Sequence, residues 1–194
     1  MRKRNQATAA VALALAAGLA GCGNQVDQTG PSKPEPKVEL QTLSADEVFA
    51  LVKKKQGKVV VMDCWSTYCG PCMKEFHGLV DLHKKYGDKV ACISVSLDFS
   101  GIGEPEDSRE AVLAFLKEKK ATFDNVLSTT PDQEFYQAIQ QHFHLAEAPP
   151  GVPVILVLDK EGKLASRWDT NVGGEGEFSY AKSVEPVVEK LLRP

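Results

Sequence analysis

The sequence predicts an α/β fold in which a central mixed β-sheet is flanked by helices. From Val38 onward, short apolar runs alternate with segments whose apolar residues recur at helical spacing. The runs at 59–62 and 89–98 are almost continuously apolar, as expected of strands that are buried on both faces. Strands that alternate with helices, followed by a hairpin and a last helix, are typical of a sheet covered by helices on both sides.

The elements follow one another by the same criteria. The first helix, 44–55, begins with a capping box formed by Ser44 and Glu47. The strand at 59–62 leads to a second helix that starts near Pro71, whose inward residues are Met73, Phe76, Leu79 and Val80. The remaining predicted elements are a strand at 89–98, a helix at 108–120, a strand at 123–128, a helix at 133–142, a strand at 152–159, its hairpin partner at 163–168 and a helix ending at Leu192.

Composition and charge are those of an ordinary globular chain. Its 194 residues are 43% hydrophobic and 25% charged, enough for one domain with a buried core plus appendages. The formal net charge is -3, and it becomes -6 if the first 21 residues are removed, since their only charges are Arg2, Lys3 and Arg4. Phosphate binding needs clustered Lys and Arg, so this acidic balance argues against a nucleic-acid partner.

The N-terminal segment has the pattern of an export signal. A basic start, residues 1–4, precedes an Ala- and Leu-rich run, residues 7–21, that is shorter than the ~20 apolar residues a membrane-spanning helix needs. The segment ends in Leu19-Ala20-Gly21-Cys22, which resembles the lipobox of bacterial lipoproteins. The resemblance implies cleavage before Cys22 and lipidation of that residue. The alternative is a plain secretory peptide in which Cys22 is an incidental thiol.

The segment after Cys22 has the composition of a tether. Residues 23–37 hold three prolines, two glycines and almost no large apolar residue, which predicts a flexible linker partly extended by its prolines. We therefore divide the chain into a lipoprotein signal peptide at 1–21, a lipidated Cys and tether at 22–37, and one domain at 38–194. We expect the domain to lie in the periplasm or otherwise outside the cytoplasmic membrane, anchored through lipid.

The strongest functional signal is the pair Cys69 and Cys72, separated by Gly70 and Pro71. A Cys-x-x-Cys pair that follows a strand and opens a helix is typical of a redox motif. At a helix N-terminus, unpaired backbone N–H groups and the helix dipole stabilise a thiolate, the nucleophilic form of Cys69. Cys72 lies one turn further on the same face and can resolve a mixed disulfide.

Other uses of the pair fit less well. A structural zinc site needs four ligands, whereas Cys64 and Cys92 are single residues in predicted strands. A c-type haem site needs His after the second Cys, and Met73 stands there. An inert structural disulfide stays open for an exported protein. Cys64 and Cys92 are interpreted as small buried apolar residues rather than as a second disulfide, and no metal site is predicted.

The run at 63–72, "DCWSTYCGPC", resembles the active-site run of thioredoxins, and residues 38–194 resemble the exported, thioredoxin-like TlpA/ResA family. The resemblance implies a thioredoxin-like fold with an inserted helical segment between the Cys-x-x-Cys helix and the strand that follows Pro153. It also implies a cis bond between Val152 and Pro153, placed against the disulfide. In the family, the backbone beside this proline pairs with an extended segment of the substrate.

The resemblance assigns roles to two acidic residues. Asp63 would be a buried proton relay for Cys72, because a carboxyl group at the end of an apolar strand is desolvated and its pKa is raised. The alternative is a strand-end carboxylate that reaches solvent. Glu75 matches a Glu that helps set active-site acidity and partner contacts in the family. The family often has a Pro soon after this Glu, whereas Phe76-His77 follow here.

Partner contacts are expected from residues around the pair. Trp65 is predicted to shield the disulfide, with core packing as the alternative, and Tyr68 is predicted to contact the partner. Together with Gly70, Pro71, Val152 and Glu75, these residues form the predicted substrate-binding set.

The expected function is that of a membrane-tethered thiol–disulfide oxidoreductase, monomeric and without a cofactor. Gly-Pro between the cysteines is the dipeptide of thioredoxin, which is strongly reducing, so reduction of disulfides in exported proteins is favoured. Electrons would come from a membrane thiol carrier. Two alternatives stay open: a thiol peroxidase, in whose motif a Thr stands where this chain has Ser66, and a binding module whose disulfide only fastens a docking surface.

Overall fold

The structure is a computed structural model, which describes residues 37–169 and 178–193. The strands are β1 Gln41–Leu43, β2 Val59–Trp65, β3 Val90–Ser96, β4 Asp124–Ser128, β5 Val154–Leu158 and β6 Leu164–Trp168. The helices are α1 Ala45–Lys53, α2 Gly70–Glu75, α3 His77–Tyr86, α4 Arg109–Lys119, α5 Asp132–His142 and α6 Glu185–Leu192. The predicted signal peptide, Cys22 and almost all of the tether lie outside the described residues.

The six strands form one mixed sheet in the order β1-β4-β3-β2-β5-β6. The first four in this order run parallel, while β5 and β6 are antiparallel to their neighbours. Strand β2 is central, and all seven of its residues are buried. The prediction of a mixed sheet flanked by helices is therefore confirmed, and the end of β2 lies in the middle of the molecule's sheet rather than at an edge.

The two faces of β2 bury different clusters, because side chains alternate along a strand. Val60, Met62 and Cys64 pack with residues of α1 and α5 on one face. Val59 and Val61 pack on the other face with residues of α3 and α6, and Trp65 packs there with residues of α2 and α4. By this alternation Asp63 lies on the second face, between Val61 and Trp65.

The predicted second helix is divided into two. Phe76 separates α2 from α3, although its N–H still donates to the carbonyl of Cys72 at 2.9 Å. The Nδ1 atom of His77 donates to the carbonyl of Lys74 at 2.8 Å. In an uninterrupted helix this carbonyl would accept from the N–H of Gly78, so the His77 side chain competes with the backbone where the helix is interrupted. The predicted inward residues Phe76, Leu79 and Val80 are buried.

Two strands differ from the prediction. Strand β2 continues through Asp63 to Trp65, whereas the apolar pattern ended at Met62; the ladder to β3 continues with Asp63 opposite Ser94. Strand β1 was not predicted, because three residues at the sheet edge give no periodic signal. Among the described residues, no helix combines the length and the apolar character needed to cross a membrane.

Candidate active site

Cys69 and Cys72 form a disulfide at the start of α2, with their Cα atoms 5.3 Å apart. Cys69 is the N-cap residue, and its Sγ accepts a hydrogen bond from the backbone N–H of Cys72 at 3.2 Å. Cys69 is half-buried, whereas Cys72 is only 4% exposed. A donor aimed at sulfur favours the thiolate over the thiol. The arrangement therefore offers one accessible, stabilised sulfur and one sulfur sheltered behind it.

The loop before the disulfide is held by Asp98, a residue that the sequence analysis missed. Its carboxylate accepts from the Ser66 hydroxyl at 3.1 Å, the Thr67 backbone N–H at 3.0 Å, the Thr67 hydroxyl and the Ser96 hydroxyl at 2.5 Å. Ser66 Oγ in turn accepts from the N–H of Tyr68 at 3.1 Å. Trp65 and Ser96 are paired where β2 and β3 end, so Asp98 connects the end of β3 to the active-site loop.

Trp65 lies beneath the disulfide rather than at the surface. Its side chain is fully buried and packs in one cluster with Cys72, against which Cys69 also packs. Its ring centroid is 5.2 Å from that of Phe76 and 4.8 Å from that of Phe115. An indole buried in this way can support the disulfide from within the core, but it has no exposed surface to offer a partner.

Asp63 is buried and hydrogen-bonded to a residue far away in the sequence. The Tyr180 hydroxyl donates to Asp63 Oδ2 at 2.5 Å. Burial raises the pKa of the Asp63 carboxyl to about 7, and the hydrogen bond from Tyr180 opposes that rise because it favours the charged form. Within the described part of the chain, Asp63 Oδ1 has no hydrogen-bond partner. A carboxyl group with this pKa can gain or release a proton near neutral pH.

Tyr180 is held in place by a glycine of α3. It begins a π-helical turn, Tyr180–Val184, that leads into α6. A Cβ atom built on Gly78 would lie 2.2 Å from the Tyr180 Cβ, so only a glycine leaves room for this ring. Tyr180 was not predicted as a site residue, since no local pattern connects it with a carboxyl group 117 residues away.

The bond between Val152 and Pro153 is cis, as predicted. Both residues are half-buried and lie immediately before β5. Val152 packs against the same cluster of Trp65 and Cys72 that Cys69 contacts. In the predicted inserted segment, burial raises the pKa of the Tyr136 hydroxyl, and the backbone of Val152 opposes that rise. The cis-proline turn and the disulfide are thus brought together over one apolar cluster.

The other predicted partner contacts are placed around this cluster. Tyr68 is 87% exposed, one of the few large apolar side chains that the described surface presents. Gly70 and Pro71 are exposed at the start of α2, and Glu75 is half-buried at its end. Their roles in substrate binding stay predictions.

Cys64 and Cys92 are free and buried, which confirms their interpretation as small buried apolar residues rather than a second disulfide. They lie in clusters on opposite faces of the sheet. Burial raises the pKa of Cys92 to about 12 and that of Cys64 well above its usual range, which disfavours the nucleophilic thiolate at both residues. Across residues 37–169 and 178–193, no three His, Cys, Asp or Glu side chains are grouped so that they could hold a metal ion.

The sequence model of a family described as thioredoxin-like matches residues 57–164. The chain belongs to the thioredoxin-like family. Solved structures agree on the fold: a thiol:disulfide interchange protein of the thioredoxin family from Chlorobium tepidum has a TM-score of 0.55 at 18% identity, over 73% of this chain and 84% of that one. A DsbF homologue from Corynebacterium diphtheriae has a TM-score of 0.54 at 20% identity, over 72% and 76%.

Relatives in sequence confirm the resemblance to TlpA/ResA-like proteins. Thioredoxin-like protein YneN of Bacillus subtilis is 32% identical over 45% of this chain and 48% of its own length. Thiol-disulfide oxidoreductase ResA of Oceanobacillus iheyensis is 29% identical over 39% and 40%. The chain therefore spans less than half the length of these two relatives. Thiol:disulfide interchange protein HelX of Rhodobacter capsulatus is 23% identical over 91% of this chain and 92% of its own length.

Proposed function

We propose that this thioredoxin-like protein is a thiol–disulfide oxidoreductase that reduces disulfides in exported proteins. The observation that carries the proposal is the asymmetry of the pair: Cys69 is reachable and its Sγ accepts an N–H donor, while Cys72 is buried behind it. An attacking thiolate must reach the substrate, whereas a resolving thiol needs only to reach the first sulfur. An inert staple has no use for that difference.

The reaction proceeds by two exchanges. The Cys69 thiolate attacks a sulfur of the substrate disulfide; a bond to Cys69 forms, the substrate S–S bond breaks and one substrate thiolate leaves. Cys72 then loses its proton, and its thiolate attacks Cys69 Sγ. The Cys69–Cys72 disulfide forms, the mixed disulfide breaks and the second substrate thiolate leaves. Two electrons pass to the substrate, and its two thiolates take up two protons from solvent.

Asp63 takes the proton that Cys72 must lose. It lies on the face of β2 that α2 and α3 cover, between the two clusters that hold Val61 and Trp65. Its pKa of about 7 leaves it partly ionised at neutral pH, so it can accept a proton in one half of the cycle and return it in the other.

The direction of the reaction is proposed from the dipeptide Gly70-Pro71, which is that of the strongly reducing thioredoxins. A reductase must be reduced again after each turnover. We propose a membrane dithiol carrier as donor, which gives its two electrons to Cys69–Cys72 by the same exchange in reverse. Exposed Tyr68 and the backbone beside Pro153 would hold an extended substrate segment across the disulfide.

The location of the protein is proposed from its N-terminus. The sequence Leu19-Ala20-Gly21-Cys22 supports lipidation of Cys22 and a tether to a bacterial membrane. Several acyl chains anchor a protein far more firmly than one. Expressed in a bacterium with the lipoprotein pathway, the full chain should be found in the membrane fraction and Cys22→Ser should be found outside it. If the full chain and Cys22→Ser were found in the membrane fraction to the same extent, the proposed lipid anchor would be refuted.

The activity is tested with insulin as a disulfide substrate and dithiothreitol as electron donor. The described domain with intact Cys69 and Cys72 should accelerate insulin reduction, and Cys69→Ser should not. The same proteins are then given hydrogen peroxide. Rapid peroxide consumption without insulin reduction would favour the thiol peroxidase, and absence of both activities with partner binding retained in Cys69→Ser would favour the binding module.

A further inference from the structure

The Asp63 carboxyl group receives its hydrogen bond from outside the Cys-x-x-Cys unit. Asp63 is only 3% exposed, and within the described residues its hydrogen bond comes from Tyr180, through Oδ2. Tyr180 belongs to the C-terminal segment, whereas Cys69 and Cys72 follow directly on the strand that carries Asp63. A distant part of the chain therefore controls the orientation of this carboxyl group.

The position of Tyr180 is fixed by packing that is independent of this hydrogen bond. Its Cβ and ring lie against Gly78 so closely that a side chain there would collide with them. Eight residues along α3, Tyr86 donates to Glu189 at 3.1 Å and to Glu185 at 3.2 Å, and Lys85 pairs with the same two carboxylates. The C-terminal segment is thus attached to α3 at both ends of that helix, and α3 follows the helix that carries Cys72.

Among the described residues, the other groups near Asp63 provide no positive charge. Cys92 of β3 faces the same side of the sheet, and its thiol is directed to the carbonyl of Leu79 at 3.7 Å. Cys64 is adjacent in the chain but packs on the opposite face. Cys72 of α2 belongs to the adjoining cluster. Burial is the main cause that raises the pKa of the Asp63 carboxyl group, and the hydrogen bond from the Tyr180 hydroxyl lowers it.

We propose that Tyr180 is a positioning residue of the active site, which holds Oδ2 of Asp63 and leaves Oδ1 for proton exchange with the dithiol. The exchange with the dithiol rests on the proposed function, whereas the hold on the carboxyl group does not. A phenol that donates to a carboxylate stabilises the charged form. Tyr180 therefore keeps Asp63 able to ionise near neutral pH, despite its burial, and couples that ability to the docking of the C-terminal segment.

The test is the titration of Asp63 in the oxidised protein, followed by NMR of ¹³C-labelled aspartate, with Asp63→Asn used to assign the signal. The wild-type signal should titrate near pH 7. In Tyr180→Phe, which keeps the ring against Gly78, the midpoint should rise by about one unit or more. The matched control is Tyr86→Phe, which removes a hydroxyl from the same α3–α6 contact and should leave the midpoint unchanged.

A second substitution shifts the midpoint the other way. Tyr180→3-fluorotyrosine has a more acidic phenol and should lower the Asp63 midpoint, and it remains informative if Tyr180→Phe folds poorly. An unchanged midpoint in Tyr180→Phe, or an equal shift in Tyr86→Phe, would overturn the proposal. The pH dependence of the rate of insulin reduction should shift with the Asp63 midpoint. In a protein that already carries Asp63→Asn, Tyr180→Phe should cause no further change in that rate. If the protein showed no reductase activity but the Asp63 midpoint still rose in Tyr180→Phe, the proposed function would be refuted. The proposal that Tyr180 holds Asp63 would stand.

Discussion

The backbone N–H of Cys72 points at the Sγ atom of Cys69, 3.2 Å away. The resolving residue thus contributes to the reactivity of the attacking one before any substrate arrives, since a hydrogen bond to sulfur lowers the cost of the thiolate. The same turn of helix places the Cys72 sulfur inside the protein, within a cluster that contains Trp65. One helical turn therefore activates the Cys69 sulfur and shelters the Cys72 sulfur.

Substitution of the two cysteines should have different effects. Cys72→Ser keeps the backbone donor and the accessible Cys69 sulfur, so it should attack a substrate disulfide once and remain as a mixed disulfide. Of the pair, Cys69→Ser leaves only the buried Cys72 thiol, and it should form no adduct. Incubation with insulin followed by non-reducing electrophoresis and mass spectrometry measures this, and equal trapping by both variants would reverse the assignment of attacker and resolver.

Asp63→Asn should reduce the dependence of stability on pH. Burial raises the pKa of Asp63 from 3.8 to about 7, so between these values the folded state holds a proton that the unfolded chain has released. Stability therefore falls as pH rises through this window, by about 4 kcal/mol in total. Asn keeps an acceptor for Tyr180 but does not titrate. Urea unfolding of the oxidised proteins should show that the free energy of unfolding falls more between pH 5 and pH 8 in the wild type than in Asp63→Asn. Equal falls in the two proteins would mean that Asp63 is solvated.

Gly78→Ala should destabilise the domain, although Ala is the better helix former by about 1 kcal/mol. The added methyl would lie 2.2 Å from Tyr180 Cβ, an atom that cannot swing away, and overpacking of this kind costs about 1–3 kcal/mol. Gly70→Ala is the matched control, because no atom lies within 4 Å of a Cβ built there. The measurement is the free energy of unfolding in urea; a neutral or stabilising Gly78→Ala would mean that the Tyr180 ring packs elsewhere.

Asp98→Ala should loosen the loop before the disulfide. The four donors on Ser66, Thr67 and Ser96 would lose their shared acceptor, at a cost of about 1–3 kcal/mol. Amide hydrogen exchange at Thr67 and Tyr68 should become faster. Asp88→Ala is the control. It should change neither the free energy of unfolding nor the exchange at these amides, because the Asp88 carboxylate is fully exposed and pairs with Lys58 only at 3.7 Å. Unchanged exchange in Asp98→Ala would mean that the loop is ordered without it.

The sequence predicted the parts of the site that are local. The strand, the helix start and the spacing of Cys69 and Cys72 stand next to each other in the chain, so their geometry follows from secondary structure. The cis bond at Pro153 followed only from the family resemblance. Strand β2 extends beyond its apolar run because pairing with both neighbours, Ser94 on one side and Ile155 on the other, carries Asp63 into the ladder.

The parts that escaped prediction depend on contacts between distant residues. Tyr180 is 117 residues from Asp63, and a tyrosine near the C-terminus is indistinguishable by pattern from any other core residue. From the sequence, Gly78 is only a poor helix former. Its role becomes clear from the Tyr180 side chain, which fills the space that a Cβ on residue 78 would need. Asp98 had a local signal, an acidic residue directly after a buried strand, but its meaning depends on the alignment of β2 with β3, which brings Ser66 and Thr67 to its carboxylate.

The reduction potential of Cys69–Cys72 tests the central claim most directly. The oxidised domain is equilibrated with dithiothreitol or glutathione buffers, and the fluorescence of Trp65, which packs in one cluster with Cys72, reports the fraction reduced; Cys69→Ser provides the baseline. A reductase should have a potential close to that of thioredoxin, about -270 mV. A potential close to that of DsbA, about -120 mV, would contradict the account and indicate a protein that introduces disulfides.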